Sequence, residues 1–165
     1  MKILIPVDAS EVALAPIEHV TALARQRSVD VLILNVQPSF PQYVARFTQR
    51  AARNELRAER SSASMARAIE KLSQAGVPFR ALTEIGVPAK CIAMVAEREN
   101  VDEVMIGVGR HPAWLRWANP SIAQGVMDLI DIPVTVLSRG QAGKFERFAL
   151  PAGLAGLAAL LYAAE

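Results

Sequence analysis

Sulfur and imidazole are scarce in this chain: Cys91 is the single cysteine of 165 residues, and His19 and His111 are the two histidines. One thiol excludes an internal disulfide framework and any multi-cysteine zinc site. Two histidines leave little from which to build another metal centre. Lysine is nearly as rare, at Lys2, Lys71, Lys90 and Lys144. Neither sign of charge dominates. The net charge of +2 is too weak an excess to argue for nucleic acid. No long apolar run opens the chain, because Ile3-Leu4-Ile5-Pro6-Val7 meets Asp8 well before the roughly 7–15 apolar residues of a secretory segment. The expected compartment is the cytoplasm. Apolar residues make up 52% and charged residues 21%, which excludes intrinsic disorder. The length suits one domain with a core large enough to need no cross-links.

The apolar segments alternate in type. Ile3 to Val7, Val31 to Val36, Phe79 to Ile85, Val104 to Ile106 and Ile132 to Leu137 are short and rich in branched residues. Such runs read as strands buried on both faces. Between them lie helical patterns over 11–27, 44–75, 88–98 and 121–129. Pro16 must shift the start of the first helix or bend it. Gly76 stands where the second needs a left-handed cap. This alternation predicts an α/β fold, a single open doubly wound parallel sheet of five strands. Its expected strand order is the flavodoxin-like, or Rossmann-like, 3-2-1-4-5. Residues 1–138 form the domain, 139–147 a linker and 148–165 an apolar C-terminal tail.

In such a sheet ligands bind beyond the carboxyl ends of the strands, where the strand order reverses. That places Pro6-Val7-Asp8, Asn35-Val36 and Gly107-Val108-Gly109 together. Asp8 can serve there as a ligand-binding carboxylate or simply as a cap or turn former. Several enzyme classes fail at this edge. The turn after strand one, Asp8-Ala9-Ser10, has no glycine, so it is not a dinucleotide turn. No phosphate loop of the G-x-x-x-x-G-K-[ST] type exists. A phosphoacceptor receiver would need an Asp pair after strand one and a lysine directly at the end of strand five, and both are missing. Cys91 lies in an apolar helical stretch and reads as an inert buried thiol. His19 reads as a solvated helix residue.

Five pieces in order carry a family likeness: Ile3 to Glu11, Leu34-Asn35-Val36, Gly86-Val87-Pro88, Asp102 to Gly107, and Ile132 to Leu137. Together they resemble the universal stress protein family over residues 2–138. Members that bind ATP look like Gly-x-x-Gly, nine residues, then Gly-Ser or Gly-Thr after strand four. Small residues there let backbone N–H groups approach phosphate oxygens. On this sequence the first glycine falls on Gly107, the second on Arg110, the third on Pro120, the serine on Ser121 and the next apolar residue on Ile122. Gly109 stands one place early. Pro120 removes a donor but suits a first helical turn.

Two readings follow from the resemblance. One is a cytoplasmic, dimeric stress-response protein with a degraded ATP loop and no catalytic activity. It would pair through the strand-five edge Val134-Thr135-Val136-Leu137, with Trp114 and Trp117 available to a protein partner. The alternative is an adenine-nucleotide switch, taking ATP with Mg and hydrolysing it little or not at all. The resemblance then implies that Asp8 holds ribose or metal and that Val36 and Ile106 pack the adenine beside Pro6 and Val7. Gly107, Gly109, Arg110, Pro120, Ser121 and Ile122 would hold phosphate. Two further features stand outside the likeness. Arg46, Arg50, Arg53, Arg57, Arg60, Arg67 and Lys71 form a basic stripe with few acids in the same helix, which reads as a solvated face or an anionic-partner surface. The tail Phe148 to Ala164 is uncharged. After Pro151 it is too short to span a bilayer, so a short docked helix is expected, with peripheral membrane contact as the second possibility.

Overall fold

The structure, a computed structural model, describes residues 1–39, 50–109 and 122–138. The linker, the tail, His111, Trp114 and Trp117 lie outside them, as do Arg46, Arg110, Pro120 and Ser121. The elements run β1 (Lys2–Pro6), a 3-10 turn (Glu11–Ala13), α1 (Leu14–Leu23), β2 (Asp30–Gln37), α2 (Arg50–Gln74), β3 (Phe79–Ile85), α3 (Pro88–Arg98), β4 (Glu103–Val108), α4 (Ile122–Met127) and β5 (Val134–Ser138). All four pairings are parallel, in the order β3-β2-β1-β4-β5. The sheet is therefore the expected one.

Local chemistry explains most of the boundaries. Pro16 falls in the first turn of α1, where a missing N–H costs nothing, and a 3-10 turn precedes that helix. Pro88 is the first residue of α3. The two-residue delay of β5 relative to the apolar pattern reflects Pro133, which has no N–H to donate and only accepts, from Val104 N–H at 2.9 Å. Gly76, at φ +66°, closes α2: Val77 N–H donates to Leu72 O and Gly76 N–H to Ser73 O. This is the Schellman arrangement. Asn100, at φ +49°, repeats it after α3, with Val101 N–H on Ala96 O and Asn100 N–H on Glu97 O. Asparagine is the usual substitute for glycine in this conformation.

Alternation along the strands sends side chains to two cores. Ile3, Ile5, Val31, Ile33 and Met105 face α1 and α2, meeting Ile17, Val20, Met65 and Leu72. Leu4, Leu32, Leu34, Val104 and Ile106 face α3 and α4, meeting Ile92, Val95 and Val126. Gly125 lets α4 lie close on α3, since a Cβ there would stand 3.0 Å from that of Ala89. Among the described residues no helix is long and apolar enough to cross a membrane.

The lower half of the basic stripe is neutralised across helices rather than within one. Arg67 on α2 pairs with Glu11, and Lys71 with Glu18 on α1 at 3.2 Å. Inspection of α2 alone misses these acids because they come from the element packed beside it. At the opposite face of the sheet Arg80 holds Glu99, and that hydrogen bond lowers the Glu99 carboxyl below the usual glutamate range.

Candidate functional site

The strand order reverses at β1, which has β2 on one side and β4 on the other. The segments leaving β1 and β4 therefore part to opposite faces above this point, which is where an open α/β sheet offers a crevice. Pro6 ends β1 and pairs with Leu34. Val7 is buried and extends the ladder by one bond, its N–H on Leu34 O at 2.8 Å. Asp8 is exposed. Its Oδ1 accepts from Ser10 N–H at 2.9 Å and from the Ser10 hydroxyl at 2.5 Å. The turn-forming role is thus realised. It also fixes the carboxylate at the switch point, and both of these bonds use one of its two oxygens.

Val36 is half-buried against the second core and Ile106 is 5% exposed within it. The side chain of Ile106 is committed to packing under α3 and α4, so any contact with a ligand comes from the backbone around it. Gly107 and Gly109 are half-buried. Ile122 opens α4 and is 49% exposed. The structure thus gathers Pro6, Val7, Asp8, Val36, Ile106, Gly107 and Gly109 along one edge, while Arg110, Pro120 and Ser121 are among the undescribed residues.

Gly107 has a packing reason of its own. A Cβ there would stand 2.1 Å from the carbonyl oxygen of Val12 and 2.8 Å from its carbonyl carbon. The 3-10 turn therefore lies directly on β4, and it follows immediately on the Asp8–Ser10 turn. Gly86, at φ +155°, has the same character: a Cβ would meet the Cys91 sulfur at 2.9 Å. Burial, and after it the charge of Glu84, pushes the Cys91 thiol up. A protonated thiol is a poor nucleophile, in keeping with an inert role. His19 is half-buried on α1 rather than fully solvated.

The residues around Asn35 add what sequence reading left unassigned. Asn35 is 2% exposed; its Nδ2 donates to Val7 O at 2.9 Å and its Oδ1 accepts from Gln37 Nε2 at 2.5 Å. Gln37 O in turn accepts from Gly86 N–H at 3.0 Å. On the same face Ser61 of α2 and Thr83 of β3 share a hydrogen bond of 2.5 Å, with Thr83 opposite Asn35 in register. Among the described residues Asn35, Gln37 and Ser61 are the buried polar side chains, and all three sit at this edge. Polar residues breaking the apolar run at Leu34-Asn35-Val36-Gln37 are the signal that could have found them.

A family model described as the universal stress protein family matches residues 1–138. The chain belongs to the universal stress protein family. Solved structures of similar fold include the hypothetical protein MJ0577, at 26% identity and a TM-score of 0.67, covering 86% of this chain and 97% of that one. A universal stress protein family protein from Arabidopsis thaliana with AMP bound has 16% identity, a TM-score of 0.62 and coverage of 85% and 92%. A universal stress protein from Archaeoglobus fulgidus in complex with dAMP has 18% identity, a TM-score of 0.60 and coverage of 83% and 97%. The last two share the fold at identities too low to carry residue roles. No curated protein matches the sequence. The last 27 residues of the chain lie beyond the match.

Proposed function

We propose that this universal stress protein binds an adenine nucleotide at the carboxyl edge, between the segments leaving β1 and β4, and acts through binding with little or no hydrolysis. One observation carries the reading. The bonds from Ser10 fix the Asp8 carboxylate where the strand order reverses, and the 3-10 turn that follows directly, Glu11–Ala13, lies against Gly107 of β4. Relatives of the same fold hold AMP and dAMP, which supports an adenine nucleotide over other ligands. In this reading the second oxygen of Asp8 takes a ribose hydroxyl or a Mg ion. Mg ions are usually held by one or two carboxylates together with phosphates and water; one carboxylate fits that demand. Pro6 and Val36 offer apolar surface to the base, and Val7, buried in the first core, contributes through its backbone. The backbone from Ile106 to Gly109, with Arg110, Pro120, Ser121 and Ile122, takes the phosphates.

Self-association accompanies this reading. β5 is the terminal strand of the sheet, and its Val136 and Leu137 are half-buried. A partly apolar edge invites pairing, and a second copy related by a two-fold axis would cover Val134 to Leu137.

Calorimetric titration of the full chain with ATP and Mg tests the proposal. Wild type is expected to bind, and Asp8→Ala to weaken binding by about 1–3 kcal/mol, the cost of leaving a polar partner unmatched. Absence of binding by wild type rejects the nucleotide reading. An unchanged dissociation constant in Asp8→Ala reduces Asp8 to a turn former.

A further inference from the structure

The inward stripe of α2 changes character as it rises. Leu72, Ala68, Met65 and Ser61 are buried, at spacings of four, three and four. The next two positions of the same stripe are Arg57 and Arg53, each four residues further on and each half-buried. Helix α2 connects two parallel strands, so it runs antiparallel to them, and its early residues lie towards their carboxyl ends. The bond between Ser61 and Thr83 sets the level. With a rise of about 1.5 Å per residue, Arg57 stands about 6 Å above that bond and Arg53 about 12 Å above it. Strand β3 ends two residues after Thr83, about 7 Å higher. Arg57 is therefore level with the strand ends, and Arg53 is above them. Helical side chains lean towards the helix N-terminus, which here is the direction of the candidate cleft. The Nε of Arg57 is already withdrawn from solvent. Helix α2 packs on β2, β3 and α1, so this end of the stripe stands over the edge that carries Asn35 and Gln37.

Arginine is the side chain whose planar fork matches phosphate oxygens. Two of the glycine positions expected to admit phosphate to the backbone are occupied by Arg110 and Pro120. We propose that Arg57, with Arg53 one turn above it, forms a cationic wall of the cleft and binds the phosphate groups of the nucleotide, replacing backbone donors that this chain has lost. The inference rests on the adenine-nucleotide reading and adds α2 to the phosphate contacts made by the loop after β4. Arg60 belongs to the same helix but is exposed, and it serves as a control for charge alone.

The test is a titration of the full chain at fixed ionic strength with ATP and separately with adenosine, using wild type, Arg57→Gln, Arg57→Lys, Arg53→Gln and Arg60→Gln, with a thermal melt of each. Arg57→Gln is expected to weaken ATP binding roughly 10- to 100-fold, as loss of a charge-assisted bond does, and to leave adenosine within about twofold. Arg53→Gln loses less. Arg57→Lys keeps the charge without the fork and falls between wild type and Arg57→Gln, which keeps the test open if the glutamine variant does not fold. Arg60→Gln should bind ATP as wild type does. ATP binding that is unchanged in Arg57→Gln and Arg57→Lys overturns the inference while the nucleotide reading stands. So does an equal loss for ATP and adenosine, which marks a purely structural arginine, or an equal loss in Arg60→Gln, which marks general charge. Failure of wild type to bind either ligand removes both the reading and the inference.

Discussion

Replacing Gly107 with alanine is expected to destabilise the domain by about 3 kcal/mol or more, at the upper end of overpacking costs. The added methyl group would stand 2.1 Å from the Val12 carbonyl oxygen, with backbone rather than a flexible side chain in its way. Either the 3-10 turn or β4 must move. For a domain of this size such a loss lowers the melting temperature by roughly 6–12 °C. A thermal melt followed by far-ultraviolet circular dichroism reads it. Gly76→Ala is the comparison: no atom lies within 4 Å of its added Cβ, and only the φ of +66° opposes it, so its cost should be near 1 kcal/mol. If the two variants melt together, the close approach of the turn to β4 is wrong. Because that turn follows directly on the Asp8–Ser10 turn, Gly107→Ala should also weaken ATP binding more than its position on the phosphate side alone would suggest.

Asn35→Leu should be nearly as damaging. It removes the donor to Val7 O and the acceptor of Gln37 Nε2, and both partners stay in a buried setting. At about 1–3 kcal/mol for each unsatisfied group, the expected loss is about 2–6 kcal/mol by chemical denaturation. A leucine is a stronger hydrophobe than asparagine, so a simple burial account predicts stabilisation instead. The sign of the change decides between the two. The Val7 carbonyl precedes Asp8, so the same substitution should loosen the loop that carries the carboxylate, seen as faster amide exchange at Asp8 to Ser10.

The fold was readable because its signals are local. Branched apolar runs marked the strands, Gly76 and Pro88 marked helix ends, and the alternation of the two types pointed to a parallel sheet; the flavodoxin-like order expected for it is the one found. The site was readable only as an edge. Knowing which strands adjoin brought Asp8, Val36 and Gly107 together, yet it gave Gly107 a ligand-based reason where the structure supplies a packing one. The bond from Asn35 to Val7 and the pairs of Arg67 with Glu11 and Lys71 with Glu18 join residues 28–56 positions apart. No spacing rule within one element reveals contacts of that range. Ile106 illustrates the same limit: an apolar residue beside the switch point can face the base or the core, and the pleat sends it to the core.

The central claim is that an adenine nucleotide sits over the carboxyl ends of β1 and β4. Backbone amide chemical shifts of the isotope-labelled full chain, followed through an ATP and Mg titration, test it most directly. Saturable shifts at Val7 to Ser10, at Val36 and at Gly107 to Gly109 are predicted, with the amino-terminal ends of the strands, such as Lys2 and Asp30, unmoved. A titration that leaves Val7 to Ser10 and Gly107 to Gly109 in place, or that moves only residues at the amino ends of the strands, contradicts it.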